Sequence, residues 1–260
     1  MQKGHTRSSA RERAAHRTSH TEDAVKAVSI IGFKNSGKTT CTALLADALE
    51  ARGLTVAVAK HTHHNLDKAE TDTARLMKPG RTVIGIAEGE CAVFWSTRRH
   101  LADLLPLVCA DVLLVEGGKS LGWLPRVLCL REAGEAQALD RGLALATFGG
   151  VGAEGLPRFD ASSVDALADL VAERGFVLPG LDCGACGQQD CAGFARMVVA
   201  HQAVPGDCCS VDGPLSVTVN GHQLGLNPFV ARIVSGALKG MLAELKGYSP
   251  GAEVVIRLAE

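Results

Sequence analysis

Eight residues, Gly32-Phe33-Lys34-Asn35-Ser36-Gly37-Lys38-Thr39, constrain this chain more than any others, because they fit G-x-x-x-x-G-K-[ST]. Two glycines let such a loop fold until several backbone N–H groups converge on a phosphate. Lys38 reaches β/γ oxygens and the Thr39 hydroxyl is placed to hold Mg²⁺. The flanks agree with this use. An apolar run, Val25–Ile31, precedes the loop, and Leu44, Leu45, Ala48 and Leu49 recur at helical spacing over Thr40–Arg52, stopped by Gly53. A strand, a glycine loop and a helix in that order aim the positive helix end at an anion.

The pattern continues with β-type runs at Leu54–Ala59, Thr82–Ala87, Cys91–Trp95, Val112–Val115, Arg126–Leu130 and Leu143–Thr147, with helical stretches at Leu101–Cys109 and Val164–Arg174. Alternation of this kind predicts an α/β fold with a largely parallel sheet. Pro179 and Gly180 then break it, so the nucleotide-binding domain is expected over 25–178. Residues 1–24 hold almost no large apolar side chain; they are expected to be a disordered, slightly basic tail. Over the whole chain of 260 residues, 27 basic groups face 28 acidic ones, a net charge of -1. That balance points away from nucleic acid as a partner. No apolar run approaches the roughly 18 residues of a membrane span, and the N-terminus lacks the order of a secretion signal, so a cytoplasmic protein is expected.

Two further elements gather at predicted strand ends, where open α/β sheets bind ligands. Glu116 ends the apolar run Val112–Val115 and precedes Gly117 and Gly118; a carboxylate there can hold Mg²⁺ directly or through water. Lys60-His61-Thr62-His63-His64 follows the second strand. Its histidines could pair with phosphates, transfer protons or ligate a metal, though without a defined zinc spacing. Asp67 and Asp72 are weaker candidates for metal or ribose contacts.

Nine cysteines are unevenly placed: Cys183, Cys186, Cys191, Cys208 and Cys209 are clustered, and Cys41, Cys91, Cys109 and Cys129 are scattered in apolar runs. The scattered four are expected to be small core residues. The segment 181–212 is too short to build a core and is expected to fold around a metal. Cys183-x₂-Cys186-x₄-Cys191-x₁₆-Cys208 offers four thiolates, enough for one [4Fe–4S] cluster, with zinc as the alternative. Gly184 and Gly187 permit tight wrapping, and the helix-like Ala192–Val199 carries Cys191 at its start. Residues 213–260 are expected to form a strand–helix–strand unit: Leu215–Val219, an Asn220-Gly221 turn, an amphipathic helix over Pro228–Leu245 read first as packed on its own strands and alternatively as a docking surface for a partner, and a last strand at Val254–Leu258.

Taken together, Asn35–Thr40, Lys60–His64, Val115-Glu116-Gly117 with Lys119, and Pro125–Arg131 resemble the molybdopterin-guanine dinucleotide biosynthesis accessory proteins, the MobB family. The resemblance covers about 25–178. It implies a three-layer P-loop NTPase domain, a homodimer, and weak hydrolysis of bound GTP in support of the guanylyltransferase that joins GMP to molybdopterin. It implies nucleotide contacts from Gly32, Lys34, Asn35, Ser36, Gly37, Lys38, Thr39, Thr40, Lys60 and His61, with Thr39 and Glu116 on Mg²⁺. Lys38, Glu116, His61 and His63 are the candidates for the chemistry. The cysteine spacing resembles the iron–sulfur motif of corrinoid iron–sulfur proteins, which implies Cys208 rather than Cys209 as fourth ligand. A [4Fe–4S] segment followed by a short α/β unit therefore completes the expected architecture. Two other functions fit the same residues: a nucleotide-regulated redox or scaffold module serving a molybdo- or tungstoenzyme, and a metal-insertion GTPase.

Overall fold

In the computed structural model, residues 25–62, 64–67, 70–211, 215–219, 222–249 and 254–256 are described. Six parallel strands form the main sheet, in the order β2-β5-β1-β6-β7-β8. They are β1 (Lys26–Gly32), β2 (Val56–Lys60), β5 (Val112–Glu116), β6 (Arg126–Cys129), β7 (Ala144–Phe148) and the short β8 (Arg158–Phe159). β5, β6 and β7 are buried along their whole length, as expected of strands covered on both faces.

Alternation along β1 shows the two covers. Val28 and Ile30 join Leu45 and Leu49 of α1 (Lys38–Glu50) and Leu167 and Val171 of α5 (Val164–Arg174). Ala27 and Ile31 face the other way, toward Leu101, Leu124 and Leu139, contributed by α3 (Leu101–Leu104), the β5–β6 loop and α4 (Glu135–Leu139). The fold is thus a parallel sheet between two helical layers, as the sequence predicts. Arg52, just beyond α1, ties the first layer together through Asp169 at 2.8 Å and Asp165 at 3.0 Å.

Several expectations are corrected. Thr82–Ile86 (β3) and Cys91–Trp95 (β4) do form strands, but as a separate antiparallel hairpin outside the main sheet. The hairpin leaves Ile84, Ile86 and Val93 exposed, and with them Cys91; Cys109 is exposed too. Of the scattered cysteines only Cys41 and Cys129 are core residues, because only they lie on elements of the main sheet layer. The predicted helix at Leu101–Cys109 stops at Leu104 and continues as a 3-10 turn, Leu105–Leu107, where Pro106 cannot donate a helical hydrogen bond. A short helix, α2 (Asp72–Leu76), occupies what reads as loop; its start is capped by Thr71, whose side chain accepts from the Ala74 N–H.

Downstream, α6 (Cys191–Val199) is capped by Asp190, which accepts from the Gly193 N–H at 2.7 Å. Phe194 and Ala195 of α6, with Cys208, share one apolar cluster with Leu143, Phe176 and Leu178. The cysteine segment therefore borrows a core from the α/β sheet it follows. Beyond it come a hairpin, β9 (Val217–Val219) and β10 (His222–Leu224), and α7 (Pro228–Ala243). Against expectation, α7 does not bury its stripe: Ala231 alone is buried, while Phe229, Ile233 and Met241 are exposed. Val254–Ile256 are exposed and form no strand, since no sheet edge pairs with them. Leu258, the tail 1–24 and the Asn220-Gly221 turn lie outside the described residues.

Candidate functional site

The strand order places the C-terminal ends of β1, β2 and β5 side by side. Parallel register sets Ile30 beside Glu116 and Lys60 beside Glu116, so three strands end on one level. The loop 33–37 leaves β1 there. Asn35 and Gly37 have positive φ, 60° and 86°, and this left-handed backbone turns the loop's N–H groups inward. Gly32 is required by space: a Cβ on it would lie 2.2 Å from Ser36 Oγ and 2.5 Å from the Cys129 carbonyl oxygen. Ser36 Oγ is buried with no hydrogen-bond partner among the described residues. A tight cradle with an orphaned hydroxyl is a fit for a phosphate, which would satisfy that group.

Around the cradle, Lys38 Nζ donates to the Phe33 carbonyl at 2.6 Å. Thr39 Oγ1 donates to Glu116 Oε1 at 3.0 Å, and Lys60 Nζ pairs with the same oxygen at 3.0 Å. Glu116 is only 7% exposed, and its two partners keep the buried carboxylate compensated. Thr39 and Glu116, 77 positions apart in sequence, are thus brought to one point. His61 continues from Lys60. Its N–H donates to the Glu116 carbonyl at 2.9 Å, and its side chain packs so closely on Gly117 and Gly118 that a Cβ on either would meet it at 3.3 and 3.2 Å. Burial, and then the charge of Arg98, lower its imidazole below the usual range, favouring the neutral form.

Not every candidate reaches the site. His63 lies outside the described residues. His64 is exposed, its N–H bonded to Thr62 Oγ1 at 3.1 Å. Asp67 accepts from Thr71 at 2.8 Å and Thr73 at 2.6 Å, and so orders the approach to α2. Asp72 pairs with Arg75 on the surface. Lys34 and Thr40 are exposed at the mouth of the loop.

Three residues that belong to the resembling motifs but are given no role by them stand beside the cradle. Lys119 Nζ lies 3.8 Å from the centre of the Phe33 ring, and Arg131 Cζ lies 5.5 Å from it. Arg131 is fixed by Glu135, with Nε at 2.7 Å and its own N–H at 3.0 Å. Arg126 is 1% exposed, and among the described residues its hydrogen bonds go to carbonyls rather than to a carboxylate. It donates to the carbonyls of Leu139 (2.5 Å), Lys119 (2.9 Å) and Leu121 (3.0 Å), and so pins the β5–β6 loop that begins at Gly117. A cation within an otherwise apolar strand is the signal that marks it in the sequence.

The far end of that loop meets the cysteine segment. A Cβ on Gly122 would lie 2.6 Å from Ala192 Cβ, next to Cys191, and one on Gly180 would lie 3.0 Å from Trp123 Nε1. All five clustered cysteines, with Phe194 and Ser210, line one small cavity. Asp182, Gly184 and Gly187 take positive φ and wrap the chain around it. Asp182 accepts from the Cys191 N–H at 2.8 Å, and its own N–H reaches Cys191 Sγ at 3.3 Å. Cys208 is buried and Cys209 exposed; Cys209 Sγ points at the Ala185 carbonyl, 3.4 Å away. Burial raises the Cys208 thiol above its usual range, and the nearby Cys186 and Cys183 raise it further. Cys208 lines the same cavity as those two thiols. Burial likewise raises Cys191. The thiols line the cavity without converging: among the described residues no three His, Cys, Asp or Glu side chains stand at the spacing of a bound metal ion. The donor set, soft sulfurs in a half-buried apolar cup, nevertheless suits an iron–sulfur cluster.

Comparison with known proteins agrees with both halves. The family model for "Molybdopterin guanine dinucleotide synthesis protein B", MobB, matches residues 27–147. A second, for "Putative Fe-S cluster", matches residues 178–210. A "Putative molybdopterin-guanine dinucleotide biosynthesis adapter protein" of Methanocaldococcus jannaschii is 28% identical over 232 residues, spanning 86% of this chain and 93% of that one. A "Probable molybdopterin-guanine dinucleotide biosynthesis adapter protein" of Bacillus subtilis is 30% identical over 121 residues, 43% of this chain and 69% of that one. The crystal structure of Bacillus subtilis MobB superposes with a TM-score of 0.45 at 25% identity, covering 56% of this chain and 97% of that one. With the glycine cradle, the Thr39–Glu116 contact, the two family models and these sequence relatives in agreement, the chain belongs to the MobB family of molybdopterin-guanine dinucleotide biosynthesis adapter proteins and carries an Fe–S-type segment after its sheet.

Proposed function

We propose that this adapter binds GTP with Mg²⁺ at the end of β1, hydrolyses it weakly, and carries a [4Fe–4S] cluster on Cys183, Cys186, Cys191 and Cys208. The observation that carries the reading is the Thr39–Glu116 hydrogen bond, which joins the two groups a nucleotide-bound Mg²⁺ needs from separate strand ends. Mg²⁺ held by Thr39 and Glu116 would neutralise charge on the phosphates. The chain's own part is positioning: Lys38 leaves the Phe33 carbonyl for a β/γ oxygen, Ser36 and the N–H groups of Asn35 and Gly37 close on phosphate oxygens, and Lys60 holds the Glu116 carboxylate in place through their 3.0 Å contact. His61, neutral and packed on Gly117–Gly118, is placed to orient a water or a substrate group.

The units that follow from this are a nucleotide domain over 25–178, a cluster segment over 181–212 and an appendage over 213–260. The partner is a cytoplasmic molybdopterin guanylyltransferase or a molybdo- or tungstoenzyme that receives the product. The exposed apolar residues of the β3–β4 hairpin suit a homodimer contact. A redox role is favoured by one further observation: Gly122 and Ala192 bring the loop after Glu116 against the first turn of the helix that carries Cys191. Titration of the anaerobically purified chain with Mg·GTP and Mg·ATP tests the reading. Preferential GTP binding, abolished in Lys38→Ala, is expected; equal affinity for the two nucleotides would defeat the guanine assignment.

A further inference from the structure

The nucleotide cradle holds more positive charge than a P-loop needs. Lys38 Nζ and Lys119 Nζ both converge on Phe33, the first on its carbonyl at 2.6 Å and the second over its ring at 3.8 Å. Arg131 approaches the same ring. The two carboxylates within reach are already engaged: Glu116 with Thr39 and Lys60, and Glu135 with Arg131 at 2.6 Å. Among the described residues Lys119 has no carboxylate partner. Its ammonium is pushed down from the usual lysine range by partial desolvation and then by Lys38, with Arg131 adding to this and Glu135 opposing it.

Its main chain, by contrast, is fixed. The Lys119 carbonyl accepts from the buried Arg126 at 2.9 Å, and Leu121 N–H closes a turn onto the Gly118 carbonyl at 2.8 Å. An anchored backbone with an uncompensated ammonium resting on an aromatic face is a cation held ready near an anion site, because the cation–ring contact is weak enough to be exchanged for a phosphate oxygen. Lys119 stands three residues beyond Glu116 and next to Phe33, and Lys38 rests on the Phe33 carbonyl, so its reach is toward the terminal rather than the first phosphate.

We propose that Lys119 is a second phosphate-binding cation, which engages the terminal phosphate of a nucleoside triphosphate and makes this site distinguish a triphosphate from a diphosphate. The inference rests on the nucleotide reading above and deepens it. Lys119 is exposed, so its replacement leaves the core intact.

The test compares equilibrium binding of Mg·GDP and of the slowly hydrolysed analogue Mg·GMPPNP to the full-length chain. Loss of one charge-assisted phosphate contact predicts that Lys119→Gln weakens GMPPNP about tenfold or more while leaving GDP within about twofold. Lys119→Arg, which keeps the charge, should retain most of the triphosphate preference. Equal weakening of both nucleotides, or no change in either, would overturn the assignment while leaving the P-loop reading intact. Failure of the wild-type chain to bind either nucleotide would remove that reading, and the assignment with it.

Discussion

Replacing Arg126 with methionine removes the guanidinium that fastens the β5–β6 loop, and the structure sets the size of the effect. Three carbonyls lose a charged donor: Leu139, Lys119 and Leu121. Each bond to a charged group contributes about 1.5–3 kcal/mol. Against this, methionine fills most of the volume and spares the cost of burying a charge that is lowered from its usual range by desolvation, then by Arg141. The Lys119 and Leu121 carbonyls lie nearer the surface, where water replaces part of what is lost. The net cost is about 3 kcal/mol, at the lower edge of what removal of one member of a buried charged network produces. For a domain of this size that lowers Tm by about 6–12 °C. Urea denaturation followed by fluorescence and circular dichroism measures it, and proteolysis at native conditions reports on residues 117–124 directly. Arg126→Lys keeps the charge but not the three-way fork, so it should remain clearly below wild type. A methionine variant within about 0.5 kcal/mol of wild type, with the loop equally protected, would refute the claim that Arg126 anchors it.

Three further outcomes are expected. Glu135, held by Arg131, has its carboxyl lowered from the usual range, chiefly by the Arg131 backbone N–H; the stability it contributes is full above the ordinary glutamate value of about 4.3 and is lost as pH falls through the lowered folded value. The Tm difference between wild type and Glu135→Gln should therefore shrink on acidification through that window, and a pH-independent difference would speak against the pairing. Cys208→Ser should abolish iron incorporation while Cys209→Ser retains most of it, read by iron content after anaerobic purification; the opposite order would exchange the fourth ligand. Mild alkylation followed by mass spectrometry should modify Cys91 and Cys109 in the native chain, with Cys41 and Cys129 labelled only after unfolding. The hydrogen bond to Cys129 and burial raise the Cys41 thiol, and a native-state label there would contradict the packing of α1 on the sheet.

The strand–loop–helix around Gly32–Thr39 is legible in the sequence because β1 is mostly apolar and α1 repeats Leu45, Ala48 and Leu49 at helical spacing. Glu116 is legible for the same reason, as an acid ending an apolar strand. Sequence spacing does not show which strands are neighbours, so the meeting of Thr39, Lys60 and Glu116 appears only with the order β2-β5-β1. The β3–β4 hairpin and α7 mislead because an apolar run marks a strand or helix without saying what covers it; Ile84, Ile86 and Phe229 are exposed. That the five clustered cysteines share one cavity is readable from their spacing, since the glycines between them leave few ways to wrap. Their shared core with Leu143 and Phe176 is not readable, because it depends on tertiary contacts that no motif or local periodicity encodes.

The central claim is that one chain joins a guanine-nucleotide P-loop to an iron–sulfur segment. Its most direct test is a single anaerobic preparation analysed for iron, acid-labile sulfide and zinc, then titrated with Mg·GTP. About four iron and four sulfide per chain, little zinc, and GTP binding that Lys38→Ala abolishes are the predicted result. Stoichiometric zinc without sulfide, or iron–sulfur-loaded protein that does not bind GTP, would contradict it.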